Sequence, residues 1–319
     1  MMRRIIRIAS LALAALMIIC TAASCKSGDS GDDAFSVVAT NFPCCDFARQ
    51  LTAGTDASVK MLLSPGGESH SFDPTPQDII TIGKADVFVY VGGESDTWAK
   101  DVIASADNPS LAEFKLMEHC PLLGEEIAEG METESGEDAH GGEEEYDEHV
   151  WTSPVNVIRI CTDLCSVLCE KSPENADTIR ANLEAYTAAL RQLDTDIRAV
   201  IDSGKRKTLV FGDRFPLLYF AREYGIDYYA AFPGCSASVE ASAGTVAFLI
   251  DKVKSEDIPV VLHIELSSTD IAETVAEACD VPVMEFCACH NVSAADFEAG
   301  ATYVGIMRGN IDVLEAALR

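Results

Sequence analysis

One amphipathic run near the middle of the chain constrains the fold more than any other feature. From Ser172-Pro173-Glu174 onward, Ile179, Leu183, Tyr186, Leu190, Leu193, Ile197 and Val200 recur at steps of three and four residues, and the pattern closes at Ser203-Gly204. Proline at the first helical position and an acid in the first turn suit a helix start, and a following glycine suits its end. About 28 residues at 1.5 Å each reach roughly 40 Å, enough to cross a two-lobed molecule and join its halves rigidly. The length of 319 residues agrees, being about twice that of a usual domain. A hydrophobic share of 48% is ample for two buried cores.

On either side of this helix, short β-branched or aromatic runs alternate with helical patterns, which is the signature of an α/β fold with parallel strands. Strands are expected at 35–41, 58–63 and 87–91, with helices at 44–52, 76–84 and 97–105. In the second half the strands fall at 208–211, 227–231, 260–265 and 283–286, and the helices at 244–254, 269–279 and 296–318. The expected organisation is an export signal over 1–24, a tether over 25–34, a first α/β lobe over 35–171, the linking helix over 172–204 and a second α/β lobe over 205–319.

The signal rests on Arg3, Arg4 and Arg7 followed by the stretch 8–19, apolar but for Ser10, too short for a comfortable membrane span but suited to the core of an export signal. Thr21-Ala22-Ala23-Ser24-Cys25 resembles a bacterial lipobox, in which Cys25 would be lipidated. Cys20 suits that role less well, because Ile19 before it is bulky. The Gly/Ser/Asp-rich segment after Cys25 reads as a flexible leash, so the chain is expected outside the cytoplasm, anchored to the membrane by its lipid.

With 52 acidic against 23 basic residues the formal charge is -29. Such a surface repels nucleic acid and concentrates cations. The acids crowd into 124–148, which holds twelve of them, with His140, several glycines and no Lys or Arg. That composition predicts a disordered acidic loop. Twelve cysteines in an exported chain would suggest disulfides, but Cys161, Cys165 and Cys169 share one helical face as small hydrophobes. Cys44-Cys45 and Cys287-x-Cys289 are too close along the chain for good bridging geometry.

The histidines carry the chemistry. His70 follows a Pro-Gly-Gly turn after a strand and precedes a helix that Thr75 would cap, at the kind of strand end where α/β folds place ligands. His149 closes the acidic loop in Asp147-Glu148-His149-Val150-Trp151. Read alone, each is better explained as an exposed loop residue.

Together the motifs say more. PGGESHSFDPTPQD, then KADVFVYVGGESDTW, then DEHVW, then the long linking helix, resemble the zinc- and manganese-binding solute-binding lipoproteins of bacterial ABC importers. The resemblance runs from VVATNFP near Val37 to TYVGIMRGN near the end. It implies two α/β lobes joined by one rigid helix, a metal held in the cleft between them, and His70 and His149 as the first lobe's ligands. It also implies delivery of the metal to a permease and its ATPase by a monomer, with no catalysis.

The second lobe departs from the family pattern. Val210-Phe211-Gly212-Asp213-Arg214-Phe215-Pro216 has Gly212 where a ligand is usual, and Gly212 cannot bind metal. Asp213 would substitute, or else pair with Arg214. Phe232-Pro233-Gly234-Cys235-Ser236 with Glu240 looks like a subgroup variant of the loop that follows. The last ligand of the family aligns nearest to Cys287 in Glu285-Phe286-Cys287-Ala288-Cys289-His290-Asn291, and His290 on the same loop is the preferred second-lobe ligand. Glu265 matches a family glutamate that supports rather than binds.

His263 reads as a strand histidine and His119 as a surface one, while His140 would collect metal for the cleft. Imidazole and thiolate favour zinc over the alternative, manganese. The competing readings are a metal-dependent hydrolase, and an adhesin or organic-ligand binder on the same scaffold. Neither H-E-x-x-H nor G-x-S-x-G occurs, which disfavours hydrolysis.

Overall fold

The computed structural model describes residues 34–68, 72–132, 145–236 and 240–319. The first lobe is built on β1 (Ser36–Ala39), β2 (Ser58–Met61), β3 (Val87–Tyr90) and β4 (Ala112–Lys115). Helices α1 (Phe42–Leu51), α2 (Pro76–Gly83) and α3 (Trp98–Ser105) connect them. The sheet order is β2-β1-β3-β4 with every pairing parallel. β3 reads Val-Phe-Val-Tyr and is buried throughout, as expected of a strand covered on both faces.

After α4 (Pro154–Lys171) and α5 (Ala176–Ser203), the second lobe repeats the plan. Its strands are β5 (Thr208–Phe215), β6 (Asp227–Pro233), β7 (Val261–His263) and β8 (Val283–Glu285), in the parallel order β6-β5-β7-β8. Helices α6 (Leu218–Tyr224), α7 (Ala243–Ser255), α8 (Asp270–Cys279), α9 (Ala294–Glu298) and α10 (Tyr303–Ala317) complete it. In both sheets the winding reverses between the first and third strands, and such a switch opens a crevice at the carboxyl ends of the strands.

Side-chain caps mark the helix starts. Asn41 accepts from the Cys44 N–H at the head of α1, and Thr75 and Asp78 form a reciprocal capping box at α2. Ser153 and Ser242 cap α4 and α7, each removing an orphan N–H worth about 1 kcal/mol.

The linking helix α5 spans 28 residues, about 40 Å long, after a single 3₁₀ turn over Pro173–Asn175. Its buried stripe is Ile179, Tyr186, Leu190, Leu193, Ile197 and Ile201, while Leu183 and Val200 are only partly covered. Two separate cores were the expectation from composition. Instead one apolar cluster runs continuously from Phe42 and Phe47 through Trp151 and Leu190 to Phe286 and Tyr303, joining the lobes, and smaller clusters lie on the far side of each sheet.

Three further differences from the sequence reading have physical reasons. The helix expected at 296–318 is two helices, because Gly300 adopts φ +80° and Thr302 caps a fresh start at α10. Strand β4 and helix α6 carry no strong periodicity and are short. The acidic segment is ordered where it is described: Gly124 bridges to Tyr146, and the Glu125 N–H donates to the Glu145 carbonyl at 2.8 Å. Its acids find partners on the second lobe, Glu126 with Arg222 and Glu129 with Lys252. Glu132 accepts from the Ser242 N–H and the Thr245 hydroxyl at the start of α7, where a helix favours negative charge.

The ten described cysteines are all unbridged. No helix among the described residues is long and apolar enough to cross a membrane.

Candidate metal centre

His149 lies between the ordered end of the acidic segment and a 3₁₀ turn, Val150–Thr152, that leads into α4. It is fully buried. Asp147 orients it twice, its Oδ1 accepting from the His149 N–H at 2.8 Å and facing Nδ1 at 3.0 Å. Asp147 is itself fixed across the lobes: its carbonyl accepts from the Tyr219 hydroxyl at 2.8 Å, and its N–H donates to the Leu123 carbonyl. A carboxylate on Nδ1 sets the tautomer and leaves Nε2 as the nitrogen offered to a metal.

His290 is built the same way from the other lobe. Glu265 follows β7, and its Oε1 accepts from the His290 N–H at 2.7 Å and faces Nδ1 at 3.3 Å, while Oε2 accepts from the Ala288 N–H at 2.6 Å. Burial alone would raise the Glu265 carboxyl, but the hydrogen bond and charge of His290 and the Ala288 N–H hold it below its ordinary value.

The two imidazoles meet at 4.7 Å between centroids and 73° between planes. Trp151 touches both rings, and its indole N–H donates to the Ala288 carbonyl across the lobe boundary at 2.8 Å. Carboxylate-backed imidazoles from opposite lobes thus lie edge to face against each other.

Glu148 turns toward the first sheet, where the Ser95 hydroxyl and N–H donate to it at 2.5 and 3.2 Å. Gly93 permits this, since a Cβ there would stand 2.0 Å from Glu148 Oε2. Beside it, burial pushes the Asp96 carboxyl up to about 6, against the lowering pull of the Val91 and Gly92 N–H groups. Neighbouring acids in a dry pocket repel each other, and a dication relieves that repulsion.

His70, His140 and Cys25 lie outside the described residues. The stem of the His70 loop is described, and it is tied to the residues beside His290. The Asn291 side chain donates to the Ser64 and Gly67 carbonyls at 2.8 and 2.9 Å, and the Gly66 N–H donates to the Val292 carbonyl. Arg214 reaches across to Glu68 at 3.3 Å.

Of the other second-lobe candidates, Asp213 is held by the fold. Its carboxylate accepts from the Ile264 N–H, the Ser267 hydroxyl and the Arg214 N–H. The Arg214 guanidinium goes to Glu68 and the Ser236 carbonyl, so no Asp213–Arg214 side-chain pair is formed. The Cys287 thiol faces that of Cys289, a contact that raises it well above its ordinary value together with burial. Its main chain is clamped on both sides by Asn310. Gly212 is glycine for packing, because a Cβ would lie 2.4 Å from the Ala272 Cα in α8.

His263 faces the Ile264 carbonyl, and His119 stacks on Phe114 at 4.1 Å with Asp163 on Nδ1. Sequence reasoning passed over Asp147, which the Asp-x-His spacing in DEHVW could have flagged. It also passed over Cys235, whose sulfur lies beside Glu148 and His149.

Two parallel-sheet lobes on a long shared helix, each presenting an imidazole at their junction, are the arrangement of a two-lobed solute-binding protein. The family model described as ZnuA, zinc-uptake complex component A, periplasmic, matches residues 37–317, and the chain belongs to that family. It is 29% identical over 295 residues to the zinc-binding lipoprotein AdcA of Streptococcus pneumoniae, covering 92% of this chain and 57% of that protein. The chain therefore spans little more than half the length of the AdcA relatives. It is also 29% identical over 300 residues to the high-affinity zinc uptake system protein ZnuA of Bacillus subtilis, covering 92% and 90%. The crystal structure of the Zn(II)-bound ZnuA-like domain of Streptococcus pneumoniae AdcA superposes with a TM-score of 0.73 at 26% identity, over 89% of this chain and 99% of that one.

Proposed function

We propose that this chain is the extracytoplasmic solute-binding component of a metal ABC importer, capturing zinc between its lobes and handing it to a permease driven by its ATPase. The observation that carries the reading is the meeting of His149 and His290 at 4.7 Å, each backed by a buried carboxylate from its own lobe. His70 is the third imidazole, on the strength of its motif and of the tie between its loop stem and Asn291.

Nitrogen donors suit zinc better than manganese, and the names of the AdcA and ZnuA relatives agree. The metal is cargo, so the residues bind and orient it and no covalent step follows. Metal binding requires neutral imidazoles, so affinity falls as the pH is lowered. Anchoring through Cys25 after removal of residues 1–24, and action as a monomer, complete the proposal.

Natively purified protein should carry one zinc per chain by elemental analysis. His149→Ala combined with His290→Ala should strip it, and full retention of zinc in the folded double variant would overturn the assignment.

A further inference from the structure

The turn after β6 carries a group that the imidazole–carboxylate pairs do not use. Phe232-Pro233-Gly234-Cys235-Ser236 leaves the carboxyl end of β6, the same end of the second sheet from which Glu265 and His290 leave β7 and β8. There, donor atoms of Cys235, Glu148 and His149 all lie within 4.8 Å of one another, and no other group of His, Cys, Asp and Glu among the described residues meets that spacing.

The approach is built in. A Cβ on Gly234 would stand 3.3 Å from Cε1 of His149 and 3.0 Å from the Phe215 carbonyl, so bare backbone lets this turn lie against the edge of the imidazole. Arg214 holds the turn from below through the Ser236 carbonyl at 3.4 Å.

The other described cysteines face the core, one another or main-chain carbonyls, Cys120 that of Leu116 and Cys279 that of Ile250. Cys44, Cys45, Cys161 and Cys289 belong to the core, Cys165 lies 3.9 Å from Cys169, and Cys287 faces Cys289. Cys235 instead faces a histidine and carboxylates from the opposite lobe. A soft sulfur beside an imidazole and a carboxylate puts three donor atoms suited to zinc in one place.

We propose that Cys235 is a metal ligand, its thiolate joining His149 on the captured zinc as a sulfur donor from the second lobe. On binding, the S–H bond breaks, an S–Zn bond forms and one proton passes to solvent, with no change of oxidation state. The sulfur makes the site discriminate: thiolate favours zinc and disfavours manganese, magnesium and calcium. The inference rests on the reading that the chain captures zinc at His149 and His290, and it supplies the donor missing at Gly212.

Cobalt(II) reports the ligand directly, because zinc is spectroscopically silent and a thiolate on cobalt gives a near-ultraviolet charge-transfer band. Metal-stripped, reduced protein is titrated with cobalt(II), and zinc affinity is measured by chelator competition. The band should reach its maximum at one equivalent in the wild type and in Cys287→Ser, and should be absent in Cys235→Ser with an unchanged circular dichroism spectrum. Cys235→Ser should also bind zinc at least about tenfold more weakly and lose part of its preference over manganese. A Cys235→Ser protein that keeps both band and affinity overturns the proposal, and so does a wild type that binds one zinc with no band; in both cases zinc capture itself survives. A wild type that binds neither metal overturns both.

Discussion

Replacing Glu265 by glutamine tests whether the second-lobe imidazole is held in place by charge. The carboxylate accepts from the Ala288 N–H at 2.6 Å and the His290 N–H at 2.7 Å, and faces His290 Nδ1 at 3.3 Å, with 9% of the residue exposed. Glutamine has the same shape but one acceptor oxygen, so its NH₂ must face an N–H whichever way the amide turns. Charge-assisted bonds are worth about 1.5–3 kcal/mol against about 1 for neutral ones, so both the loop and the ring orientation are weakened. Loss of such an orienting carboxylate ordinarily lowers metal affinity about 10–100-fold, or roughly 1.4–2.7 kcal/mol. Trp151, whose ring centre is 5.5 Å from that of His290, provides an intrinsic fluorescence signal for a chelator competition with zinc. Glu265→Gln should shift the competition curve by that factor. Affinity within twofold of the wild type in a protein with an unchanged melting temperature would refute the orienting role.

Two other perturbations separate packing from binding. Asp96 is held protonated up to about pH 6 by burial, so the native state binds that proton more tightly than the unfolded chain does. Stability from this group is present below the ordinary carboxylate pKa near about 3.9 and is lost as pH rises through about 6, a swing of about 3 kcal/mol at roughly 1.4 kcal/mol per pKa unit. Metal-free Asp96→Asn should therefore gain on the wild type between pH 4.5 and 7.5 in urea denaturation; parallel pH profiles would contradict this. Gly212→Ala should cost about 3 kcal/mol of stability, because the new Cβ meets the Ala272 backbone at 2.4 Å. Its zinc stoichiometry should stay unchanged at temperatures where it folds, and weaker zinc binding without loss of stability would contradict the packing role.

Much of the architecture was legible because it is written in local periodicity. The stripe of α5 and the β-branched or aromatic runs of β1, β3, β5 and β6 are set by short-range patterns that tertiary contacts reinforce. Strand β4 was missed because Ala-Glu-Phe-Lys is an edge segment of mixed character, and the break at Gly300 because one left-handed residue leaves the helical pattern on both sides intact.

For the site, DEHVW made His149 readable, and His290 was readable as an imidazole on the last loop of a parallel sheet. What sequence cannot carry is long-range approach. The reason for Gly212 is Ala272, sixty positions away, and the setting of Cys235 depends on Gly234 lying against a histidine from the other lobe. The described parts of the acidic segment are ordered for the same reason: their partners, Arg222, Lys252 and the start of α7, are remote in sequence.

One zinc held by imidazoles from both lobes is the decisive observable. X-ray absorption at the zinc edge, on protein loaded with one equivalent, reads that shell directly. The expected shell holds imidazole nitrogens at about 2.0–2.1 Å, with one imidazole lost in His149→Ala and one in His290→Ala. An oxygen-only shell, or spectra unchanged by both substitutions, would contradict it.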